Sequence, residues 1–263
     1  MPLFKYVKPD LVKGIQNLTV RFSPPSEFND PFELLPDTKV VETQEWIDSI
    51  KPEAVRDLKG ELPNLSEREI EQMFLQRYTQ RISTQKQIAL DSMREMSISR
   101  ILSLSKIPPD VPRALLLWGH YTENHTGMVF EFDDTHAWVQ WHHFKHGESH
   151  DYQDVQYRVK RPGWNKLSPA DEFLYTKSKH WIYEQEVRLI RFVGDKGFDT
   201  STVDALVRFP ADLLRSITLG VNNTSDKTVR DALNANSKLA HVVLYKAKLH
   251  PDEYKLTLAV LPR

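Results

Sequence analysis

His180-Trp-Ile-Tyr-Glu-Gln-Glu-Val-Arg-Leu-Ile-Arg191 is the stretch on which the fold turns. It is rich in aromatic and branched residues, which suit a pleated, half-buried surface, so it is expected to be a strand. Side chains alternate faces along a strand. Glu184, Glu186 and Arg188 then share one face with Ile182 and Ile190, while Tyr183, Val187 and Leu189 form the core face. Two carboxylates at i and i+2 repel unless something uses them. Either the face is solvated on an edge strand, as exposed Glu commonly is, or it carries a site on a rigid support.

Working outward, residues 169–181 are expected to be helical and to carry Lys177, and 154–159 to be a strand. Further upstream, Met128–Phe132 alternates as a strand, and Ala114–Tyr121 and Ile101–Ser105 are apolar runs that also suggest strands. Downstream, strands over 216–221 and 240–248 bracket a helix over 225–236, and the last strand spans 254–260. At the N-terminus, strands over 3–7 and 18–22 flank a short helix opened by Pro9. The prolines of Ser23-Pro-Pro-Ser-Glu-Phe-Asn-Asp-Pro-Phe-Glu33 exclude regular structure there, so it becomes a loop anchored by Phe28 and Phe32. Residues 42–100 differ: apolar residues recur at helical spacing (Trp46, Ile50; Ile70, Met73, Phe74; Ile88, Met93), and Ser66 with Glu69 fits a capping box. Two or three helices are expected, with a turn over 60–64. Arg56, Arg68, Arg77, Arg81 and Arg94 read as a solvated face or, less simply, a nucleic-acid surface. The whole is α+β: one domain over 1–263, with 42–100 as a helical insertion or layer.

Charged residues make up 27% of the 263 and hydrophobic residues 40%, ordinary for a soluble globular chain. The net charge of −1 advertises no nucleic-acid partner, although it leaves room for a local basic patch. The chain has no cysteine, which excludes disulfides, thiolate nucleophiles and cysteine-ligated zinc. With no long apolar run, a cytoplasmic protein without a membrane span is expected.

Four constellations carry chemistry. The first is the Glu184/Glu186 pair with Arg188, near Trp181 and Lys177. The second is the loop Asn29-Asp30, whose side chains either bond their own backbone or meet a polar substrate. The third is Trp118-Gly-His-Tyr121, in which Trp118 is core or cleft wall, Gly119 admits close backbone approach, and His120 and Tyr121 line a cleft. The fourth is the histidine-rich 136–150 segment, where His142 and His146 could share a helix face. It lacks a His-Glu-x-x-His arrangement, so no metal site is expected. No Walker, dinucleotide or Gly-x-Ser-x-Gly pattern is present. A magnesium-dependent nuclease using Glu184, Glu186, Asp30 and Lys177, or a non-enzymatic regulatory protein presenting the 42–100 helices, remain alternatives.

Four segments in order resemble a bacterial family known only as domain-of-unknown-function family 2971. They are Leu3-Phe-Lys-Tyr6, Phe22 to Glu33, Leu117-Trp-Gly-His-Tyr121 with His125-Thr-Gly127, and Lys177 with Trp181-Ile-Tyr-Glu-Gln-Glu-Val-Arg188. The order of elements is also similar to the ADP-ribosyltransferase superfamily, which has a His or Arg on a first strand, a Tyr or Ser on a second, and often Glu-x-Glu on a later one. Lys5-Tyr6 stands at the first position, with Lys in place of His or Arg; Val20-Arg-Phe-Ser23 follows, and Glu184-Gln-Glu186 matches the last. The resemblance implies a split β-sandwich of two small, mainly antiparallel sheets with NAD as co-substrate in the cleft. Glu186, Glu184 and Tyr121 would be catalytic, and Lys5, Tyr6, Arg21, Ser23, Asn29, Asp30, Trp118, His120, Lys177 and Arg188 would bind the co-substrate. Tyr6 or Tyr121 would stack on nicotinamide. The reaction would transfer ADP-ribose to a protein or nucleic acid, or hydrolyse NAD, in a toxin or anti-phage system with a cognate regulator or antitoxin.

Overall fold

Strand β1 (Leu3–Val7) is buried on both faces except at the half-buried Lys5, as suits the apolar residues on either side of it in a central strand. Around it a computed structural model describes residues 1–33, 44–78, 80, 84, 99–140, 143–145, 148–150, 152–162, 170–192 and 206–263. After β1 come α1 (Val12–Asn17), β2 (Thr19–Arg21), α2 (Gln44–Glu61), α3 (67–78), β3 (Ser99–Ser105), α4 (Ala114–Tyr121) and β4 (Met128–Phe132). Then follow β5 (His143–Lys145), β6 (Glu148–His150), β7 (Gln153–Asp154), β8 (Gln156–Arg158), α5 (Ala170–Leu174), β9 (Thr176–Ser178) and β10 (Glu186–Phe192). The chain ends with β11 (Leu206–Arg208), β12 (Leu214–Leu219), α6 (Asp226–Asn234), β13 (Val243–Leu249) and β14 (Leu256–Val260). The protein is α+β.

Two compact units form. The first comprises Met1–Phe28, Ser99–Tyr157 and Lys179–Arg263; the second comprises Asn29–Ile98 and Arg158–Ser178. Among the described residues of the first unit, eight strands form one sheet in the order β14-β13-β12-β4-β1-β3-β10-β7. Neighbours are antiparallel except β12 and β13, which are parallel and joined through α6. One face packs Leu3, Val7, Phe130, Val187 and Ile217 with Ile15 of α1 and Val229 and Leu233 of α6. The other packs Phe4, Tyr6, Val129 and Ala247 against Ala114, Leu117 and Trp118 of α4. In the second unit, α2 and α3 share a small core of Leu58, Ile70 and Phe74. The Ser66–Glu69 capping box forms as expected, Glu69 accepting from the Ser66 amide at 2.8 Å.

Three local expectations are corrected. Ala114–Tyr121 is a helix, not a strand: its leucines favour helix, and Ala114, Leu117, Trp118 and Tyr121 recur at helical period on the packed face. The helix expected over 169–181 stops at Leu174, and Thr176–Ser178 is a strand. The 180–191 strand begins only at Glu186, because Lys179–Glu184 is a 3-10 helix. Arg81, Ile88, Met93, Arg94, His142 and His146 lie outside the described residues, as does the side chain of Trp46.

Candidate functional site

The sheet opens beside β1. On one side β1 pairs with β4 along its full length, Leu3 to Val7. On the other it meets β3 at one position, Phe4 opposite Ser105. Further along β3, Ile101 exchanges two backbone hydrogen bonds with Ser23, both 2.9 Å. Ser103 lies between these points, with its carbonyl turned away from β10. A strand carbonyl left without a ladder partner needs another donor, and the Lys5 ammonium supplies it at 2.8 Å. Lys5 thus bridges the opening.

The two glutamates come to Ser105, the residue of β3 that faces β1, by separate routes. Gln185 adopts a left-handed conformation (φ 43°) that separates the 3-10 helix from β10. The turn is held by the Ser105 hydroxyl donating to the Glu184 carbonyl at 2.5 Å and the Lys106 amide donating to Gln185 at 3.1 Å. Glu184 and Glu186 therefore do not share a strand face, yet both carboxylates are buried, 3% and 6% exposed. Tyr121, from the last turn of α4, donates its hydroxyl to Glu184 Oε1. Arg188, wholly buried, grips Glu186 with two hydrogen bonds, Nε to Oε1 at 2.8 Å and Nη2 to Oε2 at 3.1 Å. The Phe28 ring lies 5.5 Å from the same guanidinium. The Tyr157 hydroxyl accepts from the Glu186 amide at 2.8 Å.

Burial pushes the Lys5 amine down from 10.5 to about 8, against the opposing pull of Glu186 and then Glu184; Arg21 adds to the lowering. Lys5, Glu184, Glu186 and Arg21 therefore share one electrostatic neighbourhood. Arg21 itself forms a two-pronged ion pair with Glu27, at 2.5 and 2.7 Å.

Beside Glu184 stands a group of rings. His120 is 6.0 Å from Trp181, 6.3 Å from Tyr183 and 6.2 Å from Tyr121. His120 is exposed, and the other three are half-buried. Such a tray suits a flat ligand ring. Sequence reasoning missed Tyr183, Ser105 and Tyr157 as site residues and left Trp181 as a neighbour. The aromatic density of 181–183 was the available signal.

Other expected site residues have structural partners. Tyr6 and Trp118 are core: Tyr6 donates to the Ile107 carbonyl at 3.0 Å, Trp118 to the Pro109 carbonyl at 2.9 Å, and their rings meet edge to face at 5.6 Å. Burial raises the Tyr6 phenol above its ordinary range. Gly119 does not serve a close approach, since no atom lies within 4 Å of where its Cβ would stand. Asn29, Asp30 and Lys177 belong to the second unit. There Asp30 Oδ1 accepts from the Phe32 amide at 2.9 Å, the local turn bond, and Lys177 faces Glu33 at 3.6 Å with both side chains buried. Among the described residues no group of three or more His, Cys, Asp or Glu is arranged to hold a metal ion.

Compared with family models, curated proteins and solved structures, the chain finds no match.

Proposed function

We propose that the protein is an NAD-dependent enzyme of the ADP-ribosyltransferase type, related to the family 2971 that it resembles. In this reading the opening between β1 and β3 divides the sheet into the halves of a split β-sandwich, and NAD is the co-substrate held there. The observation that carries it is Lys5, which bridges that opening, together with Glu184 and Glu186 beside the adjoining Ser105. The donor set fits the ligand: carboxylates for ribose hydroxyls, Lys5 and Arg21 for phosphate charge, and the His120–Trp181–Tyr183 rings for a flat base. When the glycosidic bond breaks, nicotinamide leaves with the bonding electrons and the ribose carbon becomes cationic. Glu186, oriented by Arg188, keeps lone pairs to accept from a ribose hydroxyl and to stabilise that charge. Glu184, oriented by Tyr121, takes the proton of the attacking nucleophile, a macromolecular acceptor or water. The magnesium reading is less well supported, since a cation at Glu186 would compete with the bound guanidinium of Arg188. Among the described residues no helix is long and apolar enough to cross a membrane. A cytoplasmic toxin or anti-phage effector, restrained by a cognate regulator, is the setting this chemistry suits.

The test is mass spectrometry of NAD incubated with purified protein and cell lysate, beside Glu186→Gln. Free nicotinamide from the wild type alone, with the matching mass added to protein or nucleic acid, is the expected result. Unchanged NAD and no adduct would remove the proposal; a parallel magnesium arm with RNA and DNA reads out the nuclease.

A further inference from the structure

The second unit contains a cleft of about 320 Å³ that plays no part in the chemistry above. That volume is at the low end of ordinary ligand sites, about 300–1,000 Å³. Arg158, Lys160, Arg161 and Lys177 contribute to its wall, together with Phe32 and Phe173. Two of these cations have carboxylate partners, Arg158 with Glu172 at 2.5 Å and Lys177 with Glu33 at 3.6 Å. Lys160 and Arg161 meet no carboxylate among the described residues, and the described lining carries four cationic side chains and no acidic one. Phe32 is 63% exposed, and the Arg161 guanidinium sits over its ring at 6.0 Å. An exposed Phe costs hydration unless something covers it. A cation beside that face adds the second half of a phosphate-and-base recognition site.

We propose that this cleft binds a nucleotide unit: phosphate on Lys160 and Arg161, with its unpaired base against Phe32. The shared chemistry belongs to a free nucleotide and to a segment of single-stranded nucleic acid alike. The site stands independently of NAD turnover.

The experiment titrates the full chain with a fluorescein-labelled short oligothymidylate and, separately, with ADP, at several salt concentrations. The variants are Lys160→Glu/Arg161→Glu and Phe32→Ala, all at exposed positions, with circular dichroism to verify folding. Wild-type binding of the strand is expected to weaken about tenfold or more in the charge-reversal variant. Its salt dependence should lose a slope of about 1.4, as expected for two lost phosphate contacts on a single strand. Phe32→Ala should weaken it about fivefold or more. Tighter binding of the strand than of ADP assigns the site to nucleic acid, and equal binding with the same variant losses assigns it to free nucleotide. Absence of binding by both probes, or variants that bind like the wild type, overturns the proposal.

Discussion

Arg188 and Glu186 form a buried pair in which the structural role and the proposed catalytic role can be separated. Removing one member of a buried ion pair costs roughly 3–5 kcal/mol. Glu186→Gln should therefore lower unfolding free energy by about 3 kcal/mol in urea titrations and lower NAD turnover about a hundredfold or more. The double variant Glu186→Gln/Arg188→Met separates the two effects. It should recover most of the stability, since no charge is stranded, and none of the turnover. Recovery of both would make Glu186 a structural residue. Lys5 makes a pH prediction. Its amine is lowered from 10.5 to about 8, so between those values the unfolded chain holds the proton more firmly than the folded one. Stability then rises with pH across that window, the unfavourable contribution being complete below about 8. Urea unfolding over a pH series should show this rise in the wild type and its loss in Lys5→Met.

At the level of elements, two glycines admit close backbone approach, one before β4 and one after β12. A Cβ on Gly127 would stand 2.0 Å from the Val7 carbonyl oxygen, and one on Gly220 would stand 2.1 Å from that of His125. Both obstacles are backbone, which cannot swing aside. Gly127→Ala should displace the start of β4 from the end of β1 and cost about 2 kcal/mol or more, as overpacked interiors do. Chemical denaturation measures it, and an unchanged midpoint would contradict the packing described. Most elements were legible from periodicity: Met128–Phe132 alternates as a strand and is one over those residues. Ala114–Tyr121 was misread because a short apolar run has no decisive period, although its packed residues lie at helical spacing. The 3-10 helix before Glu186 was not legible at all. Nothing in Trp-Ile-Tyr-Glu announces that Gln185 turns left-handed. That turn is maintained by hydrogen bonds from β3 and the residue after it.

At the level of the whole molecule, the two units have separate interiors. Among the described residues, the α2–α3 core centres on Leu58, Ile70 and Phe74, with partly buried residues such as Ile47, Leu65 and Met73 packed against them. Phe74→Ala removes a large part of it, a change worth roughly 3–5 kcal/mol in a full core. Hydrogen exchange should then rise in amides over 44–78 while those of β1, β4 and β12 stay protected. Loss of protection across both sets together would show that the units unfold as one.

The sequence alone determined the α+β class, the capping box and the candidate glutamates, because local periodicity and residue chemistry act over a few positions. It also marked Lys5 and Tyr121 as residues to watch. Only tertiary structure decided that Tyr6 and Trp118 pack the core and that Lys5 reaches across the sheet opening to Ser103. It also decided that Asn29, Asp30 and Lys177 belong to a different unit from the glutamates. These outcomes depend on contacts between residues about a hundred positions apart, such as Lys5 and Ser103, and no local pattern encodes which strand carbonyl is left for a side chain to satisfy.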